Sequence, residues 1–161
     1  MSHHLSHLIR QTIDAELPNL RAVSDDRASL PRAAGKWCPK EELGHLIDSA
    51  SNNHQRFVRA ALSPEFHGPS YAQDDWVRIH GYRDMPWEML VEFWHRYNML
   101  LAELVTRIPE SRLPTPCFIG DGAPVPLAFV IEDYVLHMQH HIDQLLRREV
   151  VTPYPGAAAQ V

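Results

Sequence analysis

Apolar residues recur along this chain at steps of three and four, the spacing that gathers them on one side of an α-helix. Leu5, Leu8, Ile9, Thr12 and Ile13 predict a first helix. Pro18, which lacks an amide N–H and crowds the preceding turn, is expected to end or kink it. Leu43, Leu46, Ile47, Ala50, His54, Phe57, Val58 and Ala61 predict the buried face of a second helix over 39–62. Pro39 suits its first position, and Glu41 and Glu42 suit its positive dipole end. Trp87, Leu90, Val91, Trp94, Asn98, Leu101, Leu104 and Val105 predict a third helix from 84 or 85 to about 108, and Ile131, Tyr134, Val135, Met138, Ile142, Leu145 and Leu146 a fourth over about 126–148.

The segments between these helices are long and rich in proline. Residues 19–36 read as irregular, 66–70 as a loop, and 71–77 as a short helix with aromatic ends. Residues 113–126 hold an Asp121-Gly122 step between apolar residues, which predicts an ordered loop or a small hairpin. The end of the chain, 151–161, reads as an extended tail. This pattern predicts an all-α fold, a four-helix bundle with long crossover connections, and leaves open which helices are neighbours.

At 161 residues the chain suits one core, so a single domain over 1–161 is expected. Thirteen prolines against seven glycines, without alternating β-branched runs, again favour helices over sheet. A net charge of −5 without any Lys/Arg cluster argues against nucleic acid or an anionic membrane as partner. No apolar run approaches a membrane span, and the first residues carry neither a basic region nor an apolar signal core, so a cytoplasmic location is expected. Cys38 and Cys117 form no C-x-x-C pair and are expected to be reduced. The one excess is histidine: eleven residues of the type that most often ligates metals.

His137 and His141 stand four apart on the fourth predicted helix, which stacks their imidazoles on one side, close enough to share an ion. His140 points elsewhere. Glu42-x-x-His45 and Glu92-x-x-His95 match the spacing used by dinuclear carboxylate bundles, but that reading fails on the last helix, where a histidine pair takes the natural position and Glu132 falls on the solvent side. A mononuclear site needs a third ligand, for which His45, His54, His80 and His95 are candidates. The helical wheel favours His54, because His45 falls in a row with Ser49, Asn52 and Arg56.

The segments Gly35-Lys-Trp-Cys-Pro-Lys-Glu-Glu-Leu-Gly-His45-Leu-Ile-Asp48, Asn53-His-Gln-Arg56-Phe, Gln73-Asp-Asp-Trp76 and Asp133-Tyr-Val-Leu-His137-Met-Gln-His140-His141 together resemble the DinB and YfiT-like superfamily, over about 35–146. The resemblance implies a four-helix bundle of the DinB/YfiT-like type in which His45, His137 and His141 bind one divalent metal ion, zinc or nickel first, with iron or manganese also compatible. Cys38 departs from the Ser or Thr usual at that helix start, where a thiol caps more weakly by about 1 kcal/mol.

With that ligand set, Asp48 and Asp133 are expected to orient a ligand imidazole through its second nitrogen. Arg56, on the face of His45, is a candidate to hold an anionic substrate group. His54 becomes a core histidine needing a hydrogen-bond partner, His80 and His95 edge or surface residues, and Trp37, Trp76, Trp87 and Trp94 chiefly core. The resemblance implies a metal-dependent enzyme acting on small molecules, either a hydrolase or a transferase using a low-molecular-weight thiol, with metal-bound water or thiolate as nucleophile. A non-catalytic metal-binding or stress-response protein with a structural ion is the competing reading. No general base is evident, and an apolar face left over after packing would pair two copies as a homodimer.

Overall fold

A computed structural model describes residues 1–149; the tail expected at 151–161 lies outside the described residues. Four long helices dominate: α1 (Ser2–Arg21), α3 (Pro39–Leu62), α5 (Trp87–Thr106) and α6 (Leu127–Leu145). Between them lie the short helices α2 (Asp25–Ala28) and α4 (Gln73–His80), single 3₁₀ turns at Tyr82–Asp84 and Glu110–Arg112, and the strands β1 (Phe66–Gly68), β2 (Pro116–Ile119) and β3 (Val125–Pro126).

Helix α1 packs on α5 and α6, and α3 packs on the same two. Around the bundle the order is therefore α1, α5, α3, α6. Long helices consecutive in the chain, α1 with α3 and α5 with α6, stand on diagonals, as long crossover connections allow. The core between them is formed by Leu5, Ile9 and Ile13 of α1, Leu43, Leu46 and Phe57 of α3, Trp94 and Leu101 of α5, and Ile131, Met138 and Ile142 of α6, all essentially sealed from solvent. Each such large side chain contributes about 1.5–3 kcal/mol by leaving water.

Pro18 does not end α1. The helix runs one further turn to Arg21, with the Ala22 amide bonded to the Pro18 carbonyl at 3.1 Å. Pro18 is exposed, so the carbonyl its ring deprives of a partner faces water. Helix α3 starts at Pro39 as expected, and Glu41 accepts the Cys38 amide at 2.9 Å, the carboxylate half of a capping box. Helix α5 begins at Trp87, later than the sequence pattern suggests, because Tyr82–Asp84 forms its own turn. Its first amide is capped from a distance: Asp25 accepts the Trp87 N–H at 2.8 Å while its other oxygen pairs with Lys40 at 2.8 Å.

The segment before α6 is a small hairpin, with Pro116 opposite Pro126 and Cys117 opposite Val125. Residues 66–70, expected as loop, supply instead a third strand: β1 runs parallel to β2, Phe66 against Cys117 and Gly68 against Ile119. The carbonyls of Thr115 and Leu113 accept the Leu127 and Ala128 amides at 2.9 and 3.0 Å, so the hairpin caps α6 and fixes where that helix starts.

Candidate metal centre

Helices α3 and α6 lie side by side, and their contact brings the imidazoles of His45, His137 and His141 together. Their ring centroids stand 4.9 Å (His45–His137), 4.6 Å (His45–His141) and 4.5 Å (His137–His141) apart. One nitrogen from each lies within 4.8 Å of the other two, the only such group of three or more His, Cys, Asp or Glu among the described residues.

The ring orientations follow from what holds the outer nitrogens. Glu42 Oε2 is 2.7 Å from His141 Nδ1, so the Nδ1 proton is held by the carboxylate and Nε2 presents a lone pair. The Ser49 hydroxyl lies 3.4 Å from His137 Nδ1. Nε2 of His137 and Nε2 of His45 face one another at 3.0 Å. Two nitrogens bound to one ion at 2.0–2.1 Å stand about 2.9–3.4 Å apart for bond angles between square and tetrahedral, so this spacing fits a shared cation.

Burial keeps two of the three rings neutral. His45 is pushed down to about 3, first by burial and then by neighbouring His141. His137 is lowered strongly by burial, then by His141, His45, His140 and Arg56. A neutral imidazole is the form that ligates a metal, and an arriving cation meets no competing proton on these two rings at neutral pH.

A cleft of about 700 Å³ opens onto the group from one side, with His137 in its wall. Ser49, Asn53 and Arg56 of α3 form one side, Asp133 and Tyr134 of α6 another, and Tyr71, Ile119 and Val125 close the rest. Tyr71 sits 6.5 Å from the His45 ring, braced by Trp76 at 5.2 Å. Burial raises its hydroxyl to about 12, so it stays a hydrogen-bond donor. Arg56 reaches the Asn53 side-chain oxygen at 3.4 Å and the Pro69 carbonyl at 3.3 Å, which fixes its guanidinium on the wall.

The other sequence candidates separate cleanly. His54, favoured by the helical wheel, is half-buried and bonded to the Tyr97 hydroxyl at 3.2 Å, outside the cluster. His80 is exposed, and His95 Nδ1 stands 3.8 Å from Glu92, outside the cluster. Glu92 itself pairs with Arg21, so the dinuclear arrangement has no second carboxylate–histidine arm at the cluster. Trp87 and Trp94 are core, whereas Trp37 stands half-buried 5.2 Å from the His45 ring.

Asp48 does not orient a ligand imidazole. It accepts the Tyr82 hydroxyl at 2.6 Å and lies 3.3 Å from His80, because it projects from the flank of α3 that faces α4. Glu42, one turn before His45, takes the role assigned to Asp48, and it does so for a histidine on the other helix. The motif Glu42-x-x-His45 was the available signal, though it points to dinuclear ligation rather than to a hydrogen bond. Asp133 lies on the cleft wall beside His137.

Comparison with known proteins adds the family context. A family model described as the DinB superfamily matches residues 8–145. The solved structure of YfiT from Bacillus subtilis superposes with a TM-score of 0.78 at 16% sequence identity, covering 91% of this chain and 84% of that one. That protein is described as a probable metal-dependent hydrolase with an unusual four-helix bundle topology. At this identity the likeness carries the fold. A search among curated proteins found no match.

Proposed function

The chain belongs to the DinB superfamily, and from that membership and the converging imidazoles we propose that it is a metal-dependent enzyme of small molecules, with hydrolysis as its reaction. His45, His137 and His141 hold one divalent ion. When bound, such an ion supplies the Lewis acidity that makes a hydroxide or thiolate nucleophile available near neutral pH.

The observation that carries this reading is that three imidazole nitrogens converge where a cleft reaches them. A structural zinc site is closed by four protein ligands, and among the described residues the group offers three. Glu42 is engaged with the outer nitrogen of His141 and positions that ligand rather than joining it. Ser49 does the same more loosely for His137. Arg56 holds an anionic group of the substrate on the cleft wall, which Asp133 and His137 share. Transfer of a low-molecular-weight thiol uses the same elements, with the thiol in place of water, and a cleft of about 700 Å³ has room for both reactants.

The test is metal-loaded against chelated protein, prepared without immobilised nickel, assayed on simple esters and amides and on thiols with an electrophile. Stoichiometric zinc or nickel uptake, a thermal shift on loading, and turnover that His141→Ala abolishes are the expected results. Well under one ion per chain, with no thermal shift, would remove the centre; full loading without turnover on any of these substrates would favour the structural-ion reading.

A further inference from the structure

Helix α3 carries a second cleft on its other flank. Ile47, Asp48 and Ser51 lie roughly opposite Ser49, Asn53 and Arg56 on the helical wheel, and between α3, α4 and α5 they open onto a space of about 520 Å³. Its walls are mainly apolar and aromatic: Trp76, Met89, Phe93 and Tyr97. Met89 and Phe93 are 49% and 54% exposed, costly for large apolar groups with nothing against them.

One carboxyl group stands in this apolar wall, its pKa pushed up by burial and held down by the Tyr82 hydroxyl and His80. Asp48 is 2% exposed. Tyr82 donates to its Oδ1 at 2.6 Å, while its Oδ2 is buried without a hydrogen-bond partner. Native structures rarely leave a buried carboxylate oxygen unsatisfied, and such an atom calls for a ligand or a proton. The position is built rather than incidental. The Tyr82 ring lies directly on Gly44, where a Cβ would stand 2.1 Å from Cδ2, and the left-handed Gly81 (φ 64°) ends α4 so that Tyr82 can turn in. The exposed His80 lies 3.3 Å from Asp48 Oδ1, with the same Nδ1 3.0 Å from the Trp76 carbonyl, and stacks on Tyr82 at 4.9 Å, so it shields Oδ1 and leaves Oδ2 without a partner.

We propose that this cleft binds a small organic cation, an ammonium group carried on an aromatic or branched apolar body. The ammonium pairs with Asp48 Oδ2, and the body lies against Trp76, Phe93 and Tyr97, whose ring faces also attract a cation. The site stands apart from the histidine cluster and needs no metal there.

Benzylamine is the probe, with benzyl alcohol and benzoate as neutral and anionic controls, followed by calorimetry and by the methyl NMR signals of labelled Met85 and Met89, both in the cleft wall. Benzylamine should shift both methionines saturably and bind at least tenfold tighter than benzyl alcohol. Asp48→Asn, which still accepts from Tyr82, should erase that preference, and His141→Ala should leave it intact. Should Asp48→Asn fail to fold, Phe93→Ala at its half-exposed position should weaken benzylamine several-fold. Equal binding of alcohol and amine, undisturbed methionine signals, a preference that survives Asp48→Asn, or affinity unchanged by Phe93→Ala would each overturn the proposal. So would a dimer that buries Phe93 and excludes the amine.

Discussion

Glu42 and His141 meet across the interface of α3 and α6, carboxylate oxygen to Nδ1 at 2.7 Å, with Glu42 only 4% exposed. This contact decides which nitrogen of His141 is free, and so aims a lone pair at the other two rings. It also spans 99 residues of sequence, which ties the geometry of the centre to correct packing of the two helices.

Glu42→Gln preserves the shape and a weaker, neutral hydrogen bond. Removing such a carboxylate behind a ligand histidine costs about 10–100-fold in metal affinity. Competition titration against a chelator, with circular dichroism to verify the helices, checks this; unchanged affinity would mean that the carboxylate only packs.

The metal-free protein should lose stability on mild acidification. His45 titrates near 6.5 when unfolded and near 3 when folded. Above the unfolded value both states are neutral and its contribution is complete; as pH falls below it, the unfolded chain takes up the proton first. Stability should therefore decline from about pH 6.5 toward 3, by about 1.4 kcal/mol per pH unit for each such histidine, and His137 shifts in the same direction. Urea unfolding in chelator at several pH values reads the slope, which His45→Gln should flatten.

Gly44→Ala should be strongly destabilising for so small a change. Its methyl would overlap the Tyr82 ring at 2.1 Å, an overpacking that costs about 1–3 kcal/mol or more. Combining it with Tyr82→Ala should be less harmful than the sum of the two changes, because the clash disappears with the ring. Additive losses in denaturant unfolding would refute this account.

Tyr134 donates to Asn98 across the interior, and Asn98 in turn donates to the Trp94 carbonyl at 2.8 Å. All three residues are buried, so Tyr134→Phe leaves the Asn98 oxygen without that donor at a cost of about 1–3 kcal/mol. Thermal unfolding of the single variant, and of Tyr134→Phe with Asn98→Leu, should show part of the loss recovered in the pair.

The four long helices were legible because each buries a continuous apolar stripe, and the His137–His141 pair because both lie on one helix at the spacing of a turn. His45 was not legible from periodicity, which preferred His54. The stripe of α3 that meets α6 is polar, with Ser49 and Asn53 buried on it, so an apolar wheel looks past it. Only the family resemblance pointed to His45. Glu42 was out of reach for a different reason: its partner lies on another helix. The strand at Phe66–Gly68 is likewise defined by pairing with residues about fifty positions later rather than by its own composition. Pro18 does not stop α1, since an exposed last turn tolerates a missing hydrogen bond.

The 92 positions that separate His45 from His137 have a consequence for assembly. During synthesis the chain carries the first imidazole through most of its length before the other two emerge together, near the end of the described sequence. A truncated product keeps one isolated donor and a misdocked one only the pair on α6, so neither completes the set of three. Tight uptake of a cation by all three would thus double as proof that the final segment has been correctly inserted.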